Sequence, residues 1–319
     1  MATWYTVALL REPFLAPFRG LIDLANGVML GSIPDWLRAA EMETEEQPNL
    51  RWPYVRAVTG LPMFVLFQQY DAEGPDDLDD TWNDPDERMT KGRTASDRLM
   101  VANLAVWLVQ PKTTLRFGDV LHVGQRADGA WRIRSLLHPA PFRPEVDRAG
   151  TPTLTGDHLA EVRVLNGIIG GLTRHGPLWT ALRSLWGALT EGWFHNRYML
   201  LWIAMEALFG PKGRSEITRR LARNLSLFMA ANAQEQTTLW AAARQDYDQR
   251  SGIAHGEIGR VQRTEWVELI LRAEDWLRPA LVRILRDRDL RETFSDQTHR
   301  QVFFANLANA AGLATPEDF

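Results

Sequence analysis

The chain contains no cysteine. That excludes disulfides, thiolate metal clamps and cysteine nucleophiles, and it fits a reducing cytoplasm. Nor is there an apolar run of about 18 residues, so no membrane-spanning helix is expected. The N-terminus, Met1-Ala-Thr-Trp-Tyr5, lacks a basic segment leading into an apolar one, so no secretory signal is expected. Zinc signatures are also missing. There is no His-Glu-x-x-His pair, and His122, His138, His158, His175 and His299 are scattered without ligand spacing. Gly167-Ile-Ile-Gly170-Gly171 lacks the strand, lysine and hydroxyl residue of a phosphate loop. Residues 71–88 resemble a calcium loop in composition alone, nine of the eighteen being Asp or Glu, and the alternating ligand register is missing. No metal and no cofactor is expected.

What is present suggests two domains. A chain of 319 residues is long enough for two cores, and 13 tryptophans supply large apolar surfaces to fill them. Charge divides unevenly. Residues 1–154 carry 16 basic and 21 acidic side chains, whereas 155–319 carry 20 basic and 19 acidic, and all 20 but Lys212 are arginine. This is not the strongly basic surface of a general nucleic-acid binder, but a local arginine cluster still suits phosphate.

The first half reads as α+β with mostly antiparallel strands. Strands are predicted over 4–10, 28–33 and 61–67 (extending toward Tyr70), with a helix after Asp35 and another over 96–109. Segments 113–123 and 131–137 read as a hairpin closed around Asp128-Gly129. Four prolines between 139 and 154 mark a boundary, giving domains at 1–150 and 155–319. The second half reads as an all-α bundle, with helices over 157–173, 177–191, 192–209, 216–232, 235–250 and 263–286. Pro279 is expected to break or kink the last of these, and a seventh helix is expected after 295.

Within that bundle, Arg250 and His255 flank a helix end that Gly252 and Gly256 are expected to interrupt. A guanidinium grips two phosphate oxygens at once, and an imidazole exchanges a proton near neutral pH. Together they meet the demands of RNA cleavage through the 2′-hydroxyl without a metal. Each has a plain structural reading too: Arg250 as a cation at a helix C-terminus, His255 as a histidine bonded to backbone. Glu206 lies in an apolar helix and is expected to have a partner, since a lone buried carboxylate is costly. Tyr247 shares a helical face with Arg250, to stack a base or to pack in the core. Arg219, Arg220 and Arg223 fall within about one turn and would line an RNA path or form a solvated face. Glu216, after Ser215, reads as a helix start. His195, Asn196 and Arg197 are read as solvated or interface residues.

Three phrases occur in order: RYMLLWIAMEALFG from Arg197, SEITRRLARNLSLF from Ser215, and YDQRSGIAHGE from Tyr247. Together they resemble the HEPN superfamily, and within it the Apea-like HEPN domains, over roughly 155–319. Met205 stands where that family usually has leucine, and Ser251 where many HEPN nucleases have Asn, Asp or His. The resemblance implies a metal-independent endoribonuclease with Arg250 and His255 catalytic. It also implies that Glu206 orients Arg250, that Ser251 and Tyr247 are supporting residues, and that Arg219 and Arg223 contact RNA. Two copies are implied to pair through the HEPN domain, so that two Arg–His motifs face one cleft. The implied setting is prokaryotic anti-phage defence by growth arrest, with the N-terminal domain as sensor for a phage-derived trigger or regulatory protein. Two further readings stay open: a non-catalytic HEPN module that binds a nucleotide or protein, and the toxin of a toxin–antitoxin pair.

Overall fold

The computed structural model describes residues 2–10, 20–32, 64–72, 87–111, 117–125, 129, 131–137, 154–211, 216–256 and 262–313. The helix expected after Asp35, the turn residue Asp128 and most of the acidic segment 71–88 lie outside these. The chain divides into two compact units, one of residues 1–142 and 147–171, the other of 143–146 and 172–319. The fold is α+β: an antiparallel sheet first, then a helical region.

Among the described residues the first unit has six strands: β1 (Ala2–Leu10), β2 (Leu21–Asp23), β3 (Val28–Ser32), β4 (Phe64–Ala72), β5 (Phe117–Gln125) and β6 (Trp131–Leu137). Their order is β2-β3-β4-β1-β5-β6, and every pairing is antiparallel. β1 is central, with Val7 opposite both Phe67 and Leu121. That position explains why Thr6, Val7 and Ala8 are all inaccessible to solvent. Sequence alternation missed β2, a strand of three residues. It pairs with β3 through a turn in which Ala25, Asn26 and Gly27 all have positive φ.

Helix α1 (Glu87–Val109) begins nine residues earlier than its apolar spacing indicates and packs against β4, β1 and β3. Helix α2 (Gly156–Gly170) packs against α1. Asn166 on α2 donates to the carbonyl of Leu24 at 2.7 Å, and Asn26 donates back to the carbonyl of Asn166 at 2.6 Å. These bonds pin the left-handed turn to the helix. So α2 belongs with the sheet, although its sequence reads as the first helix of the bundle.

The second unit comprises α3 (Gly176–Thr190), α4 (Phe194–Phe209), α5 (Ile217–Met229), α6 (Ala233–Ala254), α7 (Arg263–Arg286), α8 (Arg288–Ser295) and α9 (Gln297–Ala310). α4 packs on α3, α6 and α7, and α5 packs on α6. One local expectation is corrected: α6 runs through Gly252 to Ala254, so that glycine does not end it. Pro279 sits inside α7, which continues past it to Arg286. Past 295 the expected helix is present as α9, with the short α8 just before it. Asp296 separates them and caps α9 by accepting from the backbone of Thr298 and His299. Glu216, with φ of 55°, stands at the N-cap position of α5. Among the described residues, no helix is long and apolar enough to cross a membrane.

Candidate active site

On α4, Tyr198, Trp202, Met205, Glu206 and Phe209 follow the three- and four-residue spacing of one helical face. On α6, Ala243, Asp246, Tyr247 and Arg250 do the same. These faces meet, and Trp202 lies between them. Its ring makes edge contacts with Tyr198, Tyr247 and Trp276, at centroid distances of 6.2, 5.3 and 6.4 Å.

Polar pairs surround this aromatic centre. Tyr198 donates to the backbone carbonyl of Asp246 at 2.9 Å. The Asp246 carboxylate receives two bonds from Arg272 on α7, both 2.7 Å. Burial raises the Asp246 carboxyl above its ordinary value, and Arg272 opposes part of that rise. Arg197 meets Glu274 at 2.6 Å, both side chains almost wholly buried. Arg197 therefore ties α4 to α7 inside the fold. The expectation that it is solvated is corrected; His195 is half-buried and Asn196 exposed. The apolar spacing of α4 carries Arg197 inward, and only a carboxylate supplied from α7 makes that position tolerable.

Glu206 lies at the more open end of the same face. One of its carboxylate oxygens lies 2.9 Å from Arg250 Nη2 in an ion pair and accepts from Tyr247 Oη at 2.9 Å. The guanidinium of Arg250 also stands 5.4 Å from the centre of the Tyr247 ring. Glu206 is thus Arg250's ion-pair partner. Tyr247 is buried, and burial together with the neighbouring Glu206 charge raises its phenol well above the ordinary value. It remains protonated, a donor to Glu206. Among the described residues, Arg250 Nε is buried without a hydrogen-bond partner.

His255 stands at the C-cap of α6, exposed, with its backbone N–H bonded to the carbonyls of Ser251 and Gly252. Gly256 follows with φ of 92°, a left-handed conformation that a glycine adopts without strain and that ends the helix. Among the described residues, no hydrogen bond or ion pair joins Arg250 to His255, and Ser251 contributes only its carbonyl. Arg250 is turned inward against α4, while His255 faces solvent.

The predicted arginine path does not form as one surface. Arg219 is exposed, but Arg223 is buried and donates to the carbonyl of Leu313 at 3.3 Å. The two arginines are four residues apart and share a helical face, but Leu221, Ala222, Asn224 and Leu225 are buried about Arg223, so the face turns from solvent to interior between them. Among the described residues, no group of three or more His, Cys, Asp or Glu converges in a way that would hold a metal ion.

Asp246, Arg272, Glu274 and Arg300 escaped sequence reasoning. Arg300 on α9 is 2% exposed, beside an open groove of about 480 Å³ that Glu206 also lines. Its signal was present in the spacing: Arg300, Phe304 and Ala308 recur every four residues, and all three are buried. Comparison with family models, with curated proteins and with solved structures returns no match.

Proposed function

We propose that this protein is a metal-independent endoribonuclease of HEPN type, whose chemistry rests on Arg250 and His255. The observation that supports this most is the Glu206–Arg250–Tyr247 cluster. A carboxylate and a ring hold a guanidinium in one orientation beside the helix end that presents an exposed imidazole.

In this reading an imidazole removes the proton of a 2′-hydroxyl, whose oxygen attacks the adjacent phosphorus. Arg250 meets the extra negative charge of the phosphorane. The bond to the 5′-oxygen breaks, and that oxygen takes a proton from a second imidazole in its acid form. The products are a 2′,3′-cyclic phosphate and a free 5′-hydroxyl. One chain supplies one histidine at this place, so two copies pairing through their helical regions would furnish base and acid together. RNA is the substrate, growth arrest during phage infection the setting, and the N-terminal sheet the receiver of a trigger.

The test is cleavage of labelled RNA in EDTA by wild type, Arg250→Ala and His255→Ala. A loss of about a hundredfold or more is expected in each variant. Equal cleavage by all three would remove both residues from the chemistry. A second reading, a HEPN module that binds without cutting, is favoured by one observation: Arg250 is already engaged by Glu206 within the single chain. Under it, RNA stays intact with every form of the protein, and expression of the wild type does not slow growth.

A further inference from the structure

Among the described residues, Arg300 is a buried charge without a counter-ion. Among the described residues, its guanidinium donates to Gln297 Oε1 at 2.9 Å and to the backbone carbonyl of Glu206 at 3.5 Å, and its Nε has no partner. The carboxylate of Glu206, the acid of the adjoining groove, is turned to Arg250 and Tyr247 on α6. A guanidinium taken out of water costs several kcal/mol unless an anion compensates it. Burial accordingly pushes Arg300 down to about 10, still protonated at neutral pH.

Gln297 and Glu206, between which the guanidinium lies, both line the groove, as Arg300 does. The start of α3 opens into it as well. Gly176, Pro177 and Thr180 form part of its wall, and His175 at the N-cap makes no side-chain capping bond. First-turn N–H groups and the positive end of the helix dipole therefore favour an anion at the same place. The rest of the lining is apolar, with Ile203, Ala207 and Ile217 among it, and Ile203 is exposed. A flat or apolar body fits those walls, and an anionic group fits Arg300.

We propose that this groove binds the phosphate of a nucleotide, with Arg300 as its counter-ion and the start of α3 as a second donor. The phosphate comes either on a free nucleotide or within an RNA strand. The site stands independently of cleavage, since none of its donors is Arg250 or His255. A nucleotide seated there would lie against Glu206, and so would bear on the residue that holds Arg250.

The experiment is calorimetric titration of the full chain with a nucleoside monophosphate, and separately with a short 2′-O-methylated RNA that cannot be cut. Arg300→Met and Arg300→Lys are run beside the wild type. Binding by wild type is expected, weakened about tenfold or more in Arg300→Met and retained in part by Arg300→Lys. Preference for the monophosphate marks a free nucleotide as the ligand; preference for the RNA marks a strand subsite. In anion-free buffer, Arg300→Met is expected to melt at or above the wild-type temperature, because it removes an uncompensated charge. Wild type that binds neither probe, or Arg300→Met that binds as tightly, overturns the site. So does a marked drop in the melting temperature of Arg300→Met when neither probe raises that of the wild type, since Arg300 is then a structural donor. His255→Ala that still binds but does not cut separates this site from the nuclease reading.

Discussion

Three side chains, Glu206, Tyr247 and Arg250, meet at a single carboxylate oxygen, and that meeting decides what Arg250 is free to do. Both members of the ion pair retain some exposure, 20% and 30% of their side chains, so water screens the pair. A double-mutant cycle with Glu206→Gln and Arg250→Met is expected to give a coupling of about 0.5–1 kcal/mol, read from urea unfolding. A coupling near zero would mean that Glu206 does not hold Arg250. Tyr247→Phe is expected to cost about 1 kcal/mol by the same measurement. Its pH dependence has a definite sign. The folded phenol titrates above the ordinary 10.0, so the folded state holds its proton more tightly than the unfolded chain does. The resulting stability is full below pH 10 and is lost as pH rises beyond it. Tyr247→Phe should therefore flatten part of the alkaline fall in unfolding free energy. An unchanged alkaline limb would show that Tyr247 is not the group responsible.

At the level of elements, α4 and α6 owe their orientation to faces that repeat every three to four residues, and α6 owes its length to what caps it. Asn232 accepts from the backbone of Glu235 at 2.9 Å at one end, and Gly256 ends it at the other. Asn232→Ala should cost about 1 kcal/mol in chemical denaturation, leaving RNA cleavage per folded molecule unchanged. Gly176 begins α3 with φ of 88°, and a Cβ there would run into the carbonyl oxygen of Ser295. Gly176→Ala should cost more than about 1 kcal/mol and move α3 against α8, which would show as weakened nucleotide binding in the groove. Nucleotide affinity unaltered by that substitution would mean that the start of α3 does not contribute.

On the scale of the whole molecule, the expectation is an assembly of two copies. In one chain the guanidinium faces inward and the imidazole outward, so a cleft holding both acid and base needs a second α6 nearby. Sedimentation should give twice the chain mass. If both motifs serve one cleft, mixing Arg250→Ala with His255→Ala chains should restore part of the cleavage that neither shows alone. A monomer that still cuts RNA, or mixtures as inert as their parents, would end the composite-site reading.

Spacing and composition were enough to read the α+β order and the helical second half, because periodicity is a local property of the chain; that Glu206 orients Arg250 was an expectation from the family resemblance alone. They also placed Arg250 and Tyr247 on one face of α6. Beyond that reach lay the attachment of α2 to the sheet, decided by amide bonds from Asn26 and Asn166 across 140 residues or more. The burial of Arg197 and Arg223 was equally out of reach, since an arginine turns inward only where a distant carboxylate or carbonyl receives it. The charge of Arg300, which has no counter-ion among the described residues, is the clearest case. A four-residue repeat can direct a guanidinium inward, but whether an acid waits there is settled by helices that meet only in the folded chain.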